Sequence, residues 1–234
     1  MIKLAINGAR GRMGQRLVAL ARDDARFDLV AEIARDQRAD TALLARGAID
    51  VIVDFSSNSG TKGAMELAQK TGAALLIGTT ALHDDTRVEL DDLATRCAIM
   101  EAPNTSLGIA VLNALLEIAG KILSEKNWAM TLIDVHHDQK RDAPSGTARR
   151  LLDTLHKAGR TDLTPEDVLC IRAGDVIGEH TIEFFGRGER LQVRHAATDR
   201  DVFVHGALDA AAWLHGQSPG RYRIEDALGL PISG

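Results

Sequence analysis

Residues 134–147 combine side chains that can transfer protons with a helix start that can bind an anion. His136 and His137 are adjacent, and Lys140 follows them closely. Histidine and lysine both act as general acids or bases in enzymes. Residues 128–135 are apolar and β-branched enough to predict a strand, so the two histidines fall where that strand ends. The segment therefore predicts acid–base chemistry in a cleft.

The second half of this segment predicts an anion site. Pro144 fixes the backbone and helical spacing begins at Thr147, so Ser145 or its neighbour is the predicted N-cap. The first-turn N–H groups of a helix bind carboxylate or phosphate, and Gly146 leaves room for a close approach. A capped helix after a polar loop would explain any one of these residues alone. Their clustering favours a functional site.

The composition describes an ordinary globular chain of 234 residues, long enough for one large domain or two small ones. No apolar run reaches the expected length of a membrane span, and Met1 leads directly into a strand, so we expect a cytoplasmic protein without a membrane partner. The pI near 5.9 and the low aromatic content argue against nucleic acid as a partner. Cys97 and Cys170 are far apart, so neither a disulfide framework nor a metal site is expected.

The amino-terminal residues predict a dinucleotide-binding turn. A short apolar strand at residues 2–7 runs into Gly8-x-x-Gly11-x-x-Gly14, and an amphipathic helix follows. Such a turn holds pyrophosphate in dinucleotide-binding folds, and two arginines in the loop add positive charge. Three glycines alone are weak support; the strand before them and the helix after them strengthen the prediction.

The first hundred residues alternate between strand and helix patterns, which predicts an α/β fold with a Rossmann-like, doubly wound parallel sheet. Small and polar residues follow the strands, at the edge where such sheets bind ligands. Further strands are predicted at residues 27–33, 49–55, 74–79 and 98–102, with helices around 61–70 and 85–96.

The second half of the chain predicts an α+β domain built on a mixed sheet. Long helices are expected at residues 106–125 and 202–215, a surface loop at 158–169, and a strand pair at 181–185 and 190–195. We expect a dinucleotide-binding domain that comprises residues 1–105 and the carboxyl-terminal segment of about 206–234. Residues 106–205 are expected to form a second domain that binds the substrate and mediates oligomerisation.

The end of the second strand bears on the choice of cofactor. An acidic residue there would bind a free ribose 2′-hydroxyl, whereas arginine favours a 2′-phosphate. If the strand ends at Ile33, the deciding residues are Ala34 and Arg35, and NADPH is favoured. An error of a few residues would leave Glu32 or Asp36 able to serve NADH.

Several of these motifs together resemble the 4-hydroxy-tetrahydrodipicolinate reductase family, also called dihydrodipicolinate reductase. The resemblance runs nearly end to end and is strongest in the His-His-x-x-Lys-x-Asp-Ala-Pro-Ser-Gly-Thr string. The matching segments are residues 8–14, 53–55, 77–80, 102–104, 136–147 and 172–180.

The resemblance implies a reductase of diaminopimelate and lysine biosynthesis that uses a nicotinamide cofactor on a cyclic dicarboxylate and that forms a homotetramer. From Ala34 and Arg35 we expect NADPH as the cofactor, with NADH weaker. It implies that His136 and Lys140 are catalytic and that the substrate is bound by His137, Ser145, Gly146 and Thr147. The implied cofactor contacts are Gly8, Ala9, Arg10, Gly11, Arg12, Met13, Arg35, Phe55, Gly78, Thr79, Thr80, Ala102, Pro103, Asn104 and Thr105.

The sequence also departs from the family pattern. Residues 36–48 form a shortened region, and Ala34, Ser57 and Thr105 replace residue types common in the family. Two other functions remain open from the residues: a related NADPH-dependent reductase of another imine or keto acid, and a non-catalytic NADPH sensor. Steady-state assays with a panel of acids would separate them.

Overall fold

A computed structural model describes residues 1–34 and 49–229. The chain divides into two compact units. Unit 1 comprises Met1–Ser106 together with Asp201–Gly229, and unit 2 is described over Leu107–Arg200. Arg35 and Asp36, which bear on the cofactor prediction, lie outside the described residues.

Unit 1 is a six-stranded parallel sheet with helices, in the strand order β10-β5-β4-β3-β1-β2. Its elements, numbered in chain order, are β1 (Ile2–Asn7), α1 (Arg12–Asp23), β2 (Phe27–Ile33), β3 (Val51–Asp54), α2 (Asn58–Thr71), β4 (Ala74–Ile77), α3 (Asp84–Leu93), β5 (Ala98–Glu101), α6 (Asp201–Leu214) and β10 (Gly220–Tyr222). This arrangement confirms the predicted Rossmann-like sheet.

The central strands of unit 1 are apolar because both faces of the sheet are covered. Every residue of β3 and β4 is buried, as expected for parallel strands between two helical layers. The buried side chains of β3 include Asp54, the last residue of the strand. A charged group in that position requires hydrogen-bond donors from its neighbours.

Unit 2 is a four-stranded mixed sheet in the order β7-β6-β8-β9, in which β6 runs parallel to β7 and antiparallel to β8. The strands β6 and β8 alternate buried and half-buried residues, because their buried face packs on a hydrophobic cluster shared with the helices. The elements are α4 (Leu107–Ser124), β6 (Ala129–His136), α5 (Gly146–Lys157), a 3-10 helix (Pro165–Asp167), β7 (Leu169–Arg172), β8 (Gly178–Phe185) and β9 (Arg190–Ala197). The predicted second domain on a mixed sheet is confirmed.

Two short strands were not among the sequence predictions. The strand β7 follows the predicted loop 158–169, which itself contains the 3-10 helix, and β10 adds to unit 1 beside β5. Both are fixed by pairing with strands that are distant in the sequence.

The helix α4 corrects the prediction that no apolar run reaches the length of a membrane span. It has 18 residues, a mean hydropathy of 1.6, and only 28% of that stretch is buried. One such helix is weak support for a membrane span, because length and composition alone decide this test. One side packs in unit 2 through buried residues such as Leu112 and Leu116. A second stripe is exposed and apolar: Leu107, Val111, Leu115, Ile118 and Ile122.

Candidate functional site

The glycine-rich turn between β1 and α1 is held in a shape that only glycine permits at two positions. Gly8 has φ +82°, and a Cβ there would lie 2.3 Å from the carbonyl oxygen of Phe55. A Cβ on Gly14 would lie 2.0 Å from the carbonyl oxygen of Gly8. The turn therefore packs backbone against backbone, and it begins a helix at the carboxyl edge of the sheet.

The start of α1 has the features of a pyrophosphate site. Gly11 is its N-cap residue and supplies no side-chain hydrogen bond to the first turn. Arg10, Gly11 and Arg12 are exposed, and Met13 is half-buried. An uncapped helix start with nearby guanidinium groups attracts a dinucleotide's phosphates through backbone N–H donors and partial positive charge. The residues of this turn fit the cofactor that the sequence predicts.

Beside this turn, Asp54 is fully buried, and its carboxyl group accepts hydrogen bonds from four uncharged side chains. Asn7 Nδ2 and Ser56 Oγ donate to Oδ1 at 2.7 and 2.5 Å, and Thr61 Oγ1 and Thr79 Oγ1 donate to Oδ2 at 2.6 and 2.8 Å. Burial raises the pKa of Asp54, although all four hydrogen bonds oppose that shift. The carboxyl group joins the ends of three strands to the start of α2.

The remaining predicted cofactor residues lie at this same strand edge, with different exposure. Thr80 and Pro103 are exposed, Asn104 is half-buried, and a Cβ on Gly78 would meet the Phe55 ring at 2.2 Å. Other predicted residues point inward. Thr79 donates to Asp54, Thr105 Oγ1 donates to the carbonyl oxygen of Phe203, and the relative exposures of Ala9, Ala102 and Thr105 are 7%, 0% and 1%.

In unit 2, Ser145 is the N-cap of α5, as predicted. Its Oγ accepts a hydrogen bond from the Ala148 N–H at 3.1 Å, and the residue is 1% exposed. Gly146 is exposed, and a Cβ there would meet nothing within 4 Å. The hydroxyl of Ser145 is therefore occupied by the protein, and the open approach to the helix start lies beside Gly146.

The predicted proton donors lie around this helix start with distinct environments. His136 is the last residue of β6 and is 8% exposed, whereas His137 is half-buried at the start of the loop. The Lys140 N–H donates to the carbonyl oxygen of His137 at 3.1 Å, and the Lys140 ammonium lies 2.9 Å from Asp142 Oδ1. The structure thus holds His136 inside the unit and leaves Lys140 partly open to solvent.

The residue that unites this region is Asp134, which is fully buried on β6. It accepts hydrogen bonds from the Ser145 N–H at 2.9 Å, from Ser145 Oγ at 2.8 Å and from Arg172 Nη2 at 3.1 Å. His136 Nδ1 and His180 Nε2 lie 3.0 and 3.3 Å from its Oδ1. We call these five residues the Asp134 network.

Charge and hydrogen bonding decide the ionisation of Asp134. Burial alone would raise the pKa of its carboxyl group, but the close imidazoles of His136 and His180 and the two hydrogen bonds from Ser145 outweigh burial and hold the pKa well below its usual range. The carboxylate is therefore ionised at neutral pH. Because it is buried, its charge must be balanced by the guanidinium and imidazole groups around it.

Asp134, His136 and His180 are also residue types that bind metals, and their ligand atoms lie within 4.8 Å of one another. The sequence predicted no metal site. Both oxygens of Asp134 already accept protein hydrogen bonds, and the cationic guanidinium of Arg172 touches the same carboxylate. The donor set of the described residues therefore fits a hydrogen-bonded network better than a cation site.

The sequence analysis assigned no role to Asp134, Arg172 or His180. One signal was available: Asp134 occupies a core-facing position in the alternation of β6, where a carboxylate needs partners. The partners come from β7 and β8, 38 and 46 residues further along the chain for Arg172 and His180. Only the strand pairing of the folded unit brings them together.

Comparisons with known proteins give a consistent result. The family model described as dihydrodipicolinate reductase, N-terminus, matches residues 2–105, and the one described as dihydrodipicolinate reductase, C-terminus, matches residues 108–228. A 4-hydroxy-tetrahydrodipicolinate reductase of Aquifex aeolicus is 34% identical over 98% of this chain and 99% of its own length. One of Stenotrophomonas maltophilia is 39% identical over 97% of this chain and 98% of its own length.

Among solved structures, the chain is similar to dipicolinate-bound dihydrodipicolinate reductase from Paenisporosarcina sp. TG-14. The TM-score is 0.82 at 21% sequence identity, and the alignment covers 97% of this chain and 99% of that one. At this identity the likeness concerns the fold. It supports the pairing of a Rossmann-like unit with a mixed-sheet unit.

The glycine turn yields a direct test of cofactor binding. We expect Gly8→Ala to weaken binding of NADPH and NADH at least about tenfold, because its Cβ would displace the Phe55 carbonyl and φ +82° is unfavourable for alanine. Gly63→Ala is the matched control, since a Cβ on Gly63 in α2 meets nothing within 4 Å. Isothermal titration would measure binding, and circular dichroism would check folding. If Gly8→Ala and the wild-type protein bound the cofactor with equal affinity, the glycine-rich turn would not be part of the cofactor site.

Proposed function

The chain belongs to the dihydrodipicolinate reductase family, and from this membership we propose that it reduces 4-hydroxy-tetrahydrodipicolinate to tetrahydrodipicolinate in lysine biosynthesis. One hydride and one proton are added and one water molecule leaves. The observation that carries the proposal is the start of α5, where an anion-binding helix terminus lies in the same segment as His136 and Lys140. A relative of this fold is described with dipicolinate bound, which is a cyclic dicarboxylate.

The cofactor is assigned to unit 1. The helix start after Gly11 would hold the pyrophosphate, and the exposed Thr80 and Pro103 together with the half-buried Asn104 would line the remainder of the site. When bound, a reduced nicotinamide supplies the hydride. The fixed backbone of the glycine turn excludes side chains from the phosphate approach, which is what close dinucleotide binding needs.

Substrate binding is assigned to unit 2. A carboxylate of the substrate accepts hydrogen bonds at the start of α5 beside Gly146 and Thr147, while His137 and Lys140 add positive charge. The Ser145 hydroxyl and the Asp134 carboxylate hold that first turn in place beneath the ligand. The negative Asp134 does not repel the substrate strongly because the Arg172 guanidinium, 3.1 Å from its Oδ2, offsets its charge.

The proton is assigned to His136 and Lys140. Hydride addition leaves negative charge on the ring, and a nearby ammonium or imidazolium quenches it by proton transfer. His136 is held within the unit by its contact with Asp134, and Lys140 is held by Asp142. Each therefore has a defined position before the substrate arrives.

We expect His136→Ala and Lys140→Ala each to lower kcat by at least about 10²-fold, because general acid catalysis contributes about 10²–10⁴-fold. NADPH affinity is expected to stay near the wild-type value, since unit 1 is unchanged. Steady-state kinetics with the dipicolinate precursor would measure the loss. Arg141→Ala, in the same segment and exposed, is the control. Near-normal turnover in either alanine variant would remove that residue from the mechanism.

A preference for NADPH is proposed from the end of β2. The strand ends at Ile33, which makes Ala34 and Arg35 the residues that follow it. Glu32, the alternative partner of a ribose hydroxyl, lies 2.5 Å from Arg22 through Oε1 and Nη2. Alanine offers no acceptor, whereas arginine forms charge-assisted bonds with a phosphate.

For this reason kcat/KM is expected to favour NADPH over NADH by at least about tenfold, since one charge-assisted contact contributes about 1.5–3 kcal/mol. Arg35→Ala should narrow the difference mainly through KM. The comparison of both cofactors in wild type and variant is the measurement. Equal or better use of NADH by the wild-type protein would show that Glu32 or Asp36 binds the ribose instead.

A homotetramer in the cytoplasm is proposed as the assembled state. The face of the unit 2 sheet opposite its buried side is apolar where Ile133 pairs with Leu169 and Val135 pairs with Ile171. Leu169 and Ile171 are 54% and 48% exposed, and the apolar stripe of α4 adds to the uncovered surface of this unit. Uncovered apolar surfaces of this kind are typical of subunit interfaces.

The tetramer predicts a native mass four times the 25.2 kDa of the chain. Light scattering after gel filtration would measure it. Ile171→Glu places a charge in the centre of the apolar sheet face and is expected to produce smaller species, whereas Val88→Glu changes an exposed residue of α3 in unit 1 and serves as the control. A monomeric wild-type protein would contradict the proposal.

A further inference from the structure

Besides the Cys170 thiol, whose Sγ lies 3.9 Å from Oδ2, five nitrogen or oxygen groups contact the Asp134 carboxylate. These five fall into two groups that differ in whether they can both donate and accept a hydrogen bond. The Ser145 N–H and Arg172 Nη2 meet Oδ2, and neither can ever accept a hydrogen bond. His136 Nδ1, His180 Nε2 and Ser145 Oγ meet Oδ1, and each of these can act as donor or acceptor. The two oxygens of one carboxylate therefore have different chemical tasks.

We propose that Asp134 is a positioning residue of the reductase, which fixes His136 as the tautomer with a proton on Nδ1 and holds the first turn of α5. The inference rests on the proposed function of the site. The buried charge of Asp134 then has two effects. It determines which nitrogen of His136 carries the proton, and it fixes the geometry of the helix start that binds the substrate carboxylate. Neither task requires Asp134 to touch the substrate.

The tautomer follows from the charge of Asp134. His136 Nδ1 lies 3.0 Å from Asp134 Oδ1, although the ring is not aligned for a hydrogen bond to it. An unprotonated nitrogen would place its lone pair beside the charged oxygen, so we expect the proton on Nδ1. Nε2 of His136 then becomes the nitrogen that gains and loses a proton during the reaction. Nε2 faces Gly178, where the Cβ of any larger residue would lie 3.0 Å from Nε2. Glycine at this position avoids that close contact with the imidazole ring.

The link to α5 follows from Ser145. Its N–H and its hydroxyl both donate to Asp134, while its Oγ accepts from the Ala148 N–H in the first turn of the helix. The carboxylate therefore fixes the N-cap from two directions. Arg172 extends this fixation to the preceding loop, because Nη2 also donates to the carbonyl oxygen of Asp142 at 2.7 Å.

Asp134→Asn makes a specific prediction. The amide oxygen must occupy the Oδ2 position, since the Ser145 N–H and Arg172 would clash with an NH₂ group there. The amide NH₂ then occupies the Oδ1 position and points a donor at His136 Nδ1. Neutral His136 is forced to carry its proton on Nε2, the reverse of the wild-type arrangement.

Long-range ¹H–¹⁵N NMR would assign the tautomer, with the His136 signals identified by their absence in His136→Gln. Wild-type His136 is expected to carry its proton on Nδ1, and the Asp134→Asn variant on Nε2. We expect kcat to fall at least about 10²-fold, because replacing an orienting aspartate by asparagine imposes the wrong histidine tautomer. Asp162→Asn, which removes another arginine–aspartate pair in unit 2, is the control and should leave tautomer and kcat unchanged.

A second experiment measures the binding of dipicolinate, which serves as the probe, and does not depend on catalytic turnover. Ser145→Ala removes the hydroxyl that joins Asp134 to the first turn of α5, keeps the backbone N–H bond to Oδ2, and leaves His136 beside the carboxylate. We expect it to weaken dipicolinate binding about fivefold, as loss of an N-cap does for a helix start, with the His136 tautomer unchanged. This variant also tests the proposal if Asp134→Asn fails to fold.

The proposal is overturned if wild-type His136 carries its proton on Nε2, if Asp134→Asn leaves the tautomer unchanged, or if its kcat equals that of Asp162→Asn. Unchanged dipicolinate binding in Ser145→Ala would overturn the link to α5. A wild-type protein without reductase activity would contradict the proposed function instead. The NMR and dipicolinate measurements would then still show whether Asp134 fixes the His136 tautomer and the first turn of α5.

Discussion

A carboxylate that leaves water must be surrounded by donors, and each unit of this chain places one such carboxylate near the end of a central strand. Asp54 ends β3 in unit 1, and Asp134 lies close to the end of β6 in unit 2, both with 0% exposure. Their donors come from other strands and from the loops beyond them. The requirement to satisfy these two groups therefore fixes the loops in which the predicted ligand contacts lie.

The two carboxylates are satisfied in different ways. Asp54 meets only neutral donors, and burial raises its pKa, so its ionisation favours unfolding as the pH rises through the folded-state pKa. Asp134 meets a guanidinium and two imidazoles, and its pKa lies well below the usual range. Its charge therefore stabilises the fold above the unfolded pKa of about 3.9, and this contribution is lost only as the pH falls below that value. A permanent charge can orient a histidine, whereas a carboxyl group that is more easily protonated is suited to a structural role.

Much of the fold could be predicted from local sequence patterns. The strand β2 was predicted with its observed bounds, and the helices of unit 1 within a few residues, because apolar periodicity and glycine turns are local signals. Ser145 was recognised as an N-cap for the same reason. The strands β7 and β10 were missed because pairing, and no local pattern, defines them. Asp134 was missed as a site residue because its partners Arg172 and His180 become neighbours only in the folded sheet.

Unit 1 and unit 2 also show two physical means of preparing a binding site before a ligand arrives. In the glycine turn, sterics prevail: Gly8 and Gly14 allow backbone atoms to approach more closely than any side chain would permit. In the Asp134 network, electrostatics prevails, since a buried charge can be satisfied only when its donors are correctly placed. Steric fixation tolerates changes in the charge of neighbouring residues, but an electrostatic anchor does not. In the proposed mechanism, His136 and the start of α5 are consequently linked, because the two oxygen atoms of Asp134 contact both of them.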